Sequence, residues 1–252
     1  MTLSYVVTGG GRGIGRAIVA RLLARGHAVV VVERDAESLS WAVGRVTVVA
    51  GDAGAEETAE RAADRAQELG TFAGWVNNAG VFRDASLDSH GADCVLELID
   101  TNLRPVVVGC GAAVRRFLAA GAGGAIVNIS SHQARRAVPG ALPYSTAKAA
   151  IEGLTRALAV EYGRSGIRVN AVAPGSVATE RYAEYLSTLS AEDAAAVERD
   201  MAALHPLGRV ATGDEIAAAV EFLLSTDGGF VNGATLPVDG GRSVLAVDPE
   251  AR

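Results

Sequence analysis

The chain has 252 residues, 49% of them hydrophobic and 21% charged, with 30 glycines and a formal net charge of −6. Plentiful aliphatics exclude a disordered chain, irregular glycine spacing excludes collagen, and the acidic balance argues against nucleic acid as a partner. The opening MTLSYVVTGG lacks a basic stretch before an apolar run, and no apolar run is long enough to cross a bilayer. Neither a signal peptide nor a membrane span is therefore expected. Cys94 and Cys110 are too few for a disulfide framework and fit a reducing, cytoplasmic setting.

In chain order, short β-branched runs predict strands at 5–8, 28–32, 46–49, 75–77, 125–129, 167–173 and 234–238. Stretches with helical spacing lie between them, among them 14–25, 56–69, 95–103 and 147–162. The strands are nearly continuous in apolar residues, as parallel strands buried on both faces are. The alternation predicts an α/β doubly wound parallel sheet in a single domain, with right-handed crossovers. Segment 180–212 breaks the rhythm, being polar and helix-prone, carrying Tyr182 and Tyr185, and following a Pro-Gly turn. Its place at the carboxyl end of a strand predicts a substrate lid; a surface excursion packed on a neighbouring subunit is the plainer alternative.

The run TGGGRGIG, from Thr8 to Gly15, follows the first strand and opens the first helix. Gly9, Gly13 and Gly15 permit a tight turn and close backbone approach to a pyrophosphate, for which the helix N-terminus offers free N–H groups. Glu33, at the end of the second strand, is placed to accept hydrogen bonds from a ribose and to repel a 2′-phosphate, which favours NAD. Arg12 and Arg34 argue for NADP, since a guanidinium there can pair with that phosphate. The carboxylate stands at the strand end itself, so NAD is the expected cofactor and NADP the alternative.

Tyr144 and Lys148 are four residues apart, on one face of a predicted helix. An ammonium beside a phenol favours phenolate, so the tyrosine pKa is expected below its ordinary value, suiting proton exchange with an alcohol. These residues stand with Asp52, the Asn77-Asn78-Ala79-Gly80 motif, Asn102, Ser131, Pro174-Gly175 and the 237–241 ending. On these motifs the chain closely resembles the short-chain dehydrogenase/reductase family, in its compact single-domain branch with a Rossmann fold, from Thr8 to Gly241.

The resemblance implies an oxidoreductase that moves hydride between a nicotinamide cofactor and a secondary alcohol or ketone, without a metal. It makes Tyr144 the general acid/base and gives Lys148 the nicotinamide ribose and the depression of the tyrosine pKa. Asn102 would anchor a water linking Lys148 to solvent. Ser131, the second of a serine pair and 13 residues before Tyr144, would orient the substrate oxygen. The cofactor set it implies is Gly9, Gly11, Arg12, Gly13, Ile14, Gly15, Glu33, Arg34, Asp52, Ala53, Asn78, Ala79, Gly80, Tyr144, Lys148, Pro174, Gly175, Val177 and Thr179. The substrate pocket would be lined by Ser131, His132, Gln133, Val138, Leu142, Tyr182, Tyr185 and Leu186.

Asn77 and His205 are read as structural. His132 is read either as a pocket residue able to change charge near neutral pH or as a solvent-facing loop residue. Arg115-Arg116 and Arg135-Arg136 would suit docking of an acidic carrier protein, as in an NADP-dependent 3-oxoacyl-carrier-protein reductase, the rival enzyme. A non-catalytic dinucleotide-binding scaffold is the rival from another class. A small-molecule substrate and a homo-oligomer, dimer or tetramer, are expected, with no nucleic-acid or membrane partner.

Overall fold

The computed structural model describes residues 2–246 and 250. Along β1 (Leu3–Thr8), Val6 packs into one apolar layer while Tyr5 and Val7 enter the other, and all three are buried. A strand apolar on both faces needs cover on both. The same alternation divides β2 (Ala28–Glu33), where Val30 and Val32 face one layer and Val29 and Val31 the other. With β3 (Thr47–Ala50), β4 (Thr71–Asn77), β5 (Gly124–Ile129), β6 (Ile167–Pro174) and β9 (Thr235–Val238), these form a seven-stranded sheet in the order β3-β2-β1-β4-β5-β6-β9. Every neighbouring pair is parallel. The order reverses between β1 and β4, which opens the ligand crevice of a doubly wound sheet beyond their carboxyl ends.

On one face, α1 (Gly13–Ala24) and α7 (Gly213–Leu224) bury Ile18, Val19 and Leu22 against Ile216, Val220 and Leu223. The other face is covered by α2 (Glu56–Leu69), α3 (Leu87–Ala120) and α4 (Leu142–Tyr162). The buried stripe of α2 is Ala59, Ala62, Ala63 and Ala66, small enough to bring its backbone close to the sheet.

Two elements run longer than their sequence signal. β4 begins at Thr71 because Gly74 belongs to the strand, where an added Cβ would press on Leu224, Tyr5 and the Ala125 carbonyl. α3 extends far beyond 95–103: it kinks at Gly91 (φ 76°, ψ 170°) and continues through Pro105 to Ala120. Proline lacks the N–H that would bond the carbonyl of Thr101, so the helix tolerates it at the cost of one bond.

Segment 180–212 is held at both ends by one small element. β7 (Val177–Ala178) pairs in parallel with β8 (Ala211–Thr212). Between them lie α5 (Glu180–Ser187) and α6 (Ala191–Ala203), neither of which fully buries a side chain. Thr179, Ser190 and Thr212 cap α5, α6 and α7 with their hydroxyls. The segment is thus a pair of helices lying over the molecule from a pinned base. No described helix is long and apolar enough to cross a membrane, and both cysteines are free.

Candidate active site

The carboxyl ends of β1, β2 and β4 and the start of α1 border a cleft of about 560 Å3. Of the residues predicted for a dinucleotide, Gly9, Arg12, Ile14, Gly15, Glu33, Arg34, Asp52, Ala53, Asn78, Ala79, Gly80 and Thr179 line it. Gly11 stands behind Glu33, donating its N–H to the carboxylate at 3.0 Å. Pro174, Gly175 and Val177 lie at the end of β6 and in β7, outside this lining.

The glycines are required where the chain folds back on itself. A Cβ on Gly15 would collide with the Gly9 carbonyl oxygen, and Gly9 has φ +70° with the Ala79 backbone 3.0 Å from its own Cβ position. Asn78 closes the turn by donating its amide to the carbonyls of Thr8 (3.1 Å) and Gly9 (2.8 Å). The N–H of Gly13 donates to the Glu180 carboxylate at 2.8 Å. An anion is therefore accommodated at the α1 N-terminus, where backbone N–H groups and the helix dipole favour one.

Gly80 connects this cleft to the predicted catalytic residues. Its Cβ position is 3.1 Å from Asn102 Oδ1 and 3.8 Å from Lys148 Nζ. Asn102 accepts from the Val81 N–H at 2.9 Å and donates to the Leu98 carbonyl at 3.0 Å, so its orientation is fixed. Ser131 lies two residues beyond β5 and accepts from the Gln133 N–H at 3.2 Å. Tyr144 and Lys148 project from the first turns of α4, and the ammonium lies 5.4 Å from the phenol ring centre.

The electrostatics correct the expected direction at Tyr144. Burial raises the phenol pKa above its ordinary value, outweighing the lowering by the Ser131 hydrogen bond and the Arg181 charge. The Lys148 ammonium donates to the Ile129 carbonyl at 2.7 Å. Full burial pushes the lysine pKa down to about 8.

His132 is buried, not solvent-facing. Its Nδ1 lies 3.2 Å from the Pro174 carbonyl, which only an N–H can satisfy. Burial, and then the charge of Arg242, push its pKa down to about 4, so it changes no charge near neutral pH. Its Nε2 and the Oε1 of neighbouring Gln133 are buried without partners among the described residues.

None of the predicted substrate-pocket residues lines the cleft. Val138, Tyr182 and Leu186 are half-buried, while Leu142 and Tyr185 are largely exposed. Two residues beside Tyr144 carry no signal in the sequence patterns above. The Phe82 ring stands edge-on to Tyr144 at 5.0 Å, and the Arg181 guanidinium lies 5.0 Å over Phe82. Phe82 follows Gly80 by two positions, and that adjacency was the available signal.

Asn77 is structural: it accepts from Trp75 Nε1 at 2.7 Å and donates to Asn128 Oδ1 at 2.8 Å, tying β4 to β5. His205 likewise bridges Met201 O (2.6 Å) and the Ser176 N–H (3.2 Å). The paired arginines form no free basic patch. Arg115 and Arg116 face Glu60, Arg116 also meets Asp64, Arg135 pairs with buried Glu152, and Arg136 donates to the Ser243 carbonyl. Among the described residues no group of three or more His, Cys, Asp or Glu is placed to hold a metal ion.

Known proteins share this architecture throughout. The profile of the family described as Enoyl-(Acyl carrier protein) reductase matches residues 9–243. The chain is 38% identical to the short-chain reductase protein NovJ of Streptomyces niveus, over 94% of this chain and 92% of the other. It is 39% identical to the cis-4-hydroxycyclohexanecarboxylate dehydrogenase of Sinomonas cyclohexanicum, over 95% of this chain and 96% of the other. A solved gluconate 5-dehydrogenase of Burkholderia cenocepacia, in complex with NADP and tartrate, superposes with a TM-score of 0.85 at 32% identity, covering 96% of each chain. With this sheet order and these motifs, the chain belongs to the short-chain dehydrogenase/reductase family, oxidoreductases that exchange hydride between a nicotinamide cofactor and an alcohol or ketone.

Proposed function

We propose that this chain is an NAD-preferring oxidoreductase of secondary alcohols and the matching ketones, with Tyr144 as its general acid/base. The observation that carries the cofactor preference is the setting of Glu33. Its two carboxylate oxygens accept from the N–H groups of Gly11 and Arg34, each at 3.0 Å, which fixes the carboxylate at the end of β2. The two arginines that favour NADP already face carboxylates, Arg12 with Asp35 at 3.6 Å and Arg34 with Asp52 at 2.7 Å. Glu33, Asp35 and Asp52 against two guanidinium groups leave this end of the cleft negative. Ribose hydroxyls are accepted there, and an added phosphate is repelled.

The glycine loop and the start of α1 hold the pyrophosphate in this reading, and the Glu180 carboxylate leaves the Gly13 N–H as it binds. Asp52 and Ala53 flank the adenine, Asn78 to Gly80 its ribose, and Pro174, Gly175, Val177 and Thr179 the nicotinamide half. The bound cofactor supplies or accepts the hydride. Tyr144 gives a proton to the carbonyl oxygen in reduction and takes it from the alcohol in oxidation. Ser131 orients that oxygen by hydrogen bonding. Lys148 holds the nicotinamide ribose and Asn102 anchors the water beyond it. Segment 180–212 covers the substrate as a lid, since both of its ends are pinned by β7 and β8 while its helices bury little.

Exposed Leu96, Val107 and Leu118 on α3 and Val160 on α4 support a homo-oligomer built on these two helices. Free cysteines support a cytoplasmic setting. Replacing Glu33 with Ala tests the cofactor assignment. The ratio of kcat/KM with NAD to that with NADP is expected to fall about 10–100-fold, the worth of one charge-assisted hydrogen-bonding group. An unchanged ratio would remove Glu33 as the selector.

A further inference from the structure

We propose that Arg181, on the lid helix α5, is the recognition residue for a carboxylate carried by the substrate, so that the enzyme acts on hydroxy acids or oxo acids. This rests on the oxidoreductase reading above and names the substrate class of that same site.

Three observations place the cation. Its guanidinium lies 5.0 Å over the Phe82 ring, and that ring stands 5.0 Å from the ring of Tyr144. Two such steps put the charge within about 10 Å of the Tyr144 ring centre. The electrostatic effect is felt at the phenol itself, where the Arg181 charge works against the rise caused by burial.

The charge is also uncompensated. Three arginines line the cleft, and Arg12 and Arg34 each face a carboxylate. Arg181 has no carboxylate within ion-pair distance among the described residues and stacks on an aromatic face. A guanidinium stacked on a ring keeps its edge donors free, and their planar fork matches a carboxylate in two parallel hydrogen bonds.

Arg181 lines the dinucleotide cleft yet stacks on Phe82 toward Tyr144, and that direction favours substrate over cofactor as the source of the anion. The preceding residue, Glu180, bonds the Gly13 N–H at 2.8 Å and faces Arg16 at 3.6 Å. That contact ties the first turn of α5 to the phosphate end of the cleft. Consecutive helix residues point about 100° apart, and Arg181 accordingly reaches Phe82 and the Tyr144 side. A short skeleton with a carbinol at Tyr144 and a carboxylate at Arg181 spans the two.

The test compares 4-hydroxycyclohexanecarboxylate with cyclohexanol, which differ only by the carboxylate. The wild-type enzyme is expected to favour the acid by at least about tenfold in kcat/KM, mostly through KM, as one charge-assisted pair implies. Arg181→Ala is expected to bring that ratio near one, and Arg181→Lys to restore part of it, with the Kd for NAD the same in all three proteins. A wild-type ratio near one, or a ratio that survives in Arg181→Ala, overturns the inference and leaves the oxidoreductase reading standing. A weakened Kd for NAD in Arg181→Ala, matching the loss in KM, also overturns it and assigns the guanidinium to the cofactor phosphates. Turnover of neither alcohol by the wild-type enzyme with NAD bound would sink the oxidoreductase reading itself, and this inference with it.

Discussion

Tyr144→Phe is expected to lower kcat by about a thousandfold or more while leaving the NAD dissociation constant unchanged. The substitution removes one oxygen from a ring that is otherwise held by the edge contact with Phe82 at 5.0 Å, so packing survives. Only the proton path is lost, and general acid/base catalysis is worth about 10²–10⁴-fold. The raised phenol pKa bears on the direction of the reaction. A protonated phenol is ready to donate in reduction, whereas oxidation needs the phenolate and should accelerate as pH rises. Steady-state rates in both directions, with NAD or NADH binding followed by fluorescence, check this. Retention of even a tenth of the wild-type kcat would assign the proton to another group.

Lys148→Met is expected to lose most activity and yet to make the cofactor-free protein more stable at pH 7. Full burial holds the ammonium at a pKa of about 8 against an ordinary 10.5. At about 1.4 kcal/mol per unit, the charged side chain destabilises the fold by about 3 kcal/mol. The methionine leaves the Ile129 carbonyl without its donor, which costs about 1 kcal/mol in return. A net gain of about 2 kcal/mol follows. The pH dependence has a definite sign. Between pH 8 and 10.5 the unfolded chain binds the proton that the folded one has released, so wild-type stability rises relative to the variant as pH rises. Below pH 8 both states carry the charge and the full difference persists. Urea unfolding of both proteins across that range measures it, and a variant less stable than wild type at pH 7 would contradict it.

The phosphate loop was legible because one short segment contains both the reason for its shape and its chemistry. Gly9 and Gly15 are dictated by backbone proximity, and Glu33 follows at the end of the second strand. The strand at Val29 to Val32 was legible because it is buried on both faces, so its apolar run is unbroken. α3 was not, since Gly91, Pro105, Gly109 and Gly111 read as breakers in isolation. The tertiary fold overrides them: Gly109 is needed where the helix meets Trp75 and Asn77, and a Cβ there would collide with the Asn77 amide. α7 carried a usable start signal, the capping pair Thr212 and Glu215.

Candidate catalytic residues could be named from the sequence, but their electrostatics could not. Spacing places Lys148 one turn from Tyr144, yet it does not tell how deeply the two groups are buried. Burial decides the direction of the shift at both residues. His132 shows the same limit, since a histidine beside a serine pair gives no hint that burial and the Arg242 charge keep it neutral. Arg115 and Arg116 look like a basic patch until α2 brings Glu60 and Asp64 beside them. Each of these depends on contacts between residues distant in sequence.

The most direct test of the account is a thermal-shift titration of the wild-type protein with NAD and NADP side by side at matched concentrations. A ligand that binds only the native state raises stability by RT ln(1 + [L]/Kd), so the difference in Tm reports relative affinity. The account predicts a clearly larger shift with NAD, because Glu33 stands bonded to the loop while Arg12 and Arg34 face Asp35 and Asp52. A larger shift with NADP would mean that the two arginines leave their carboxylates for a 2′-phosphate, and no shift with either would contradict the cleft as a dinucleotide site.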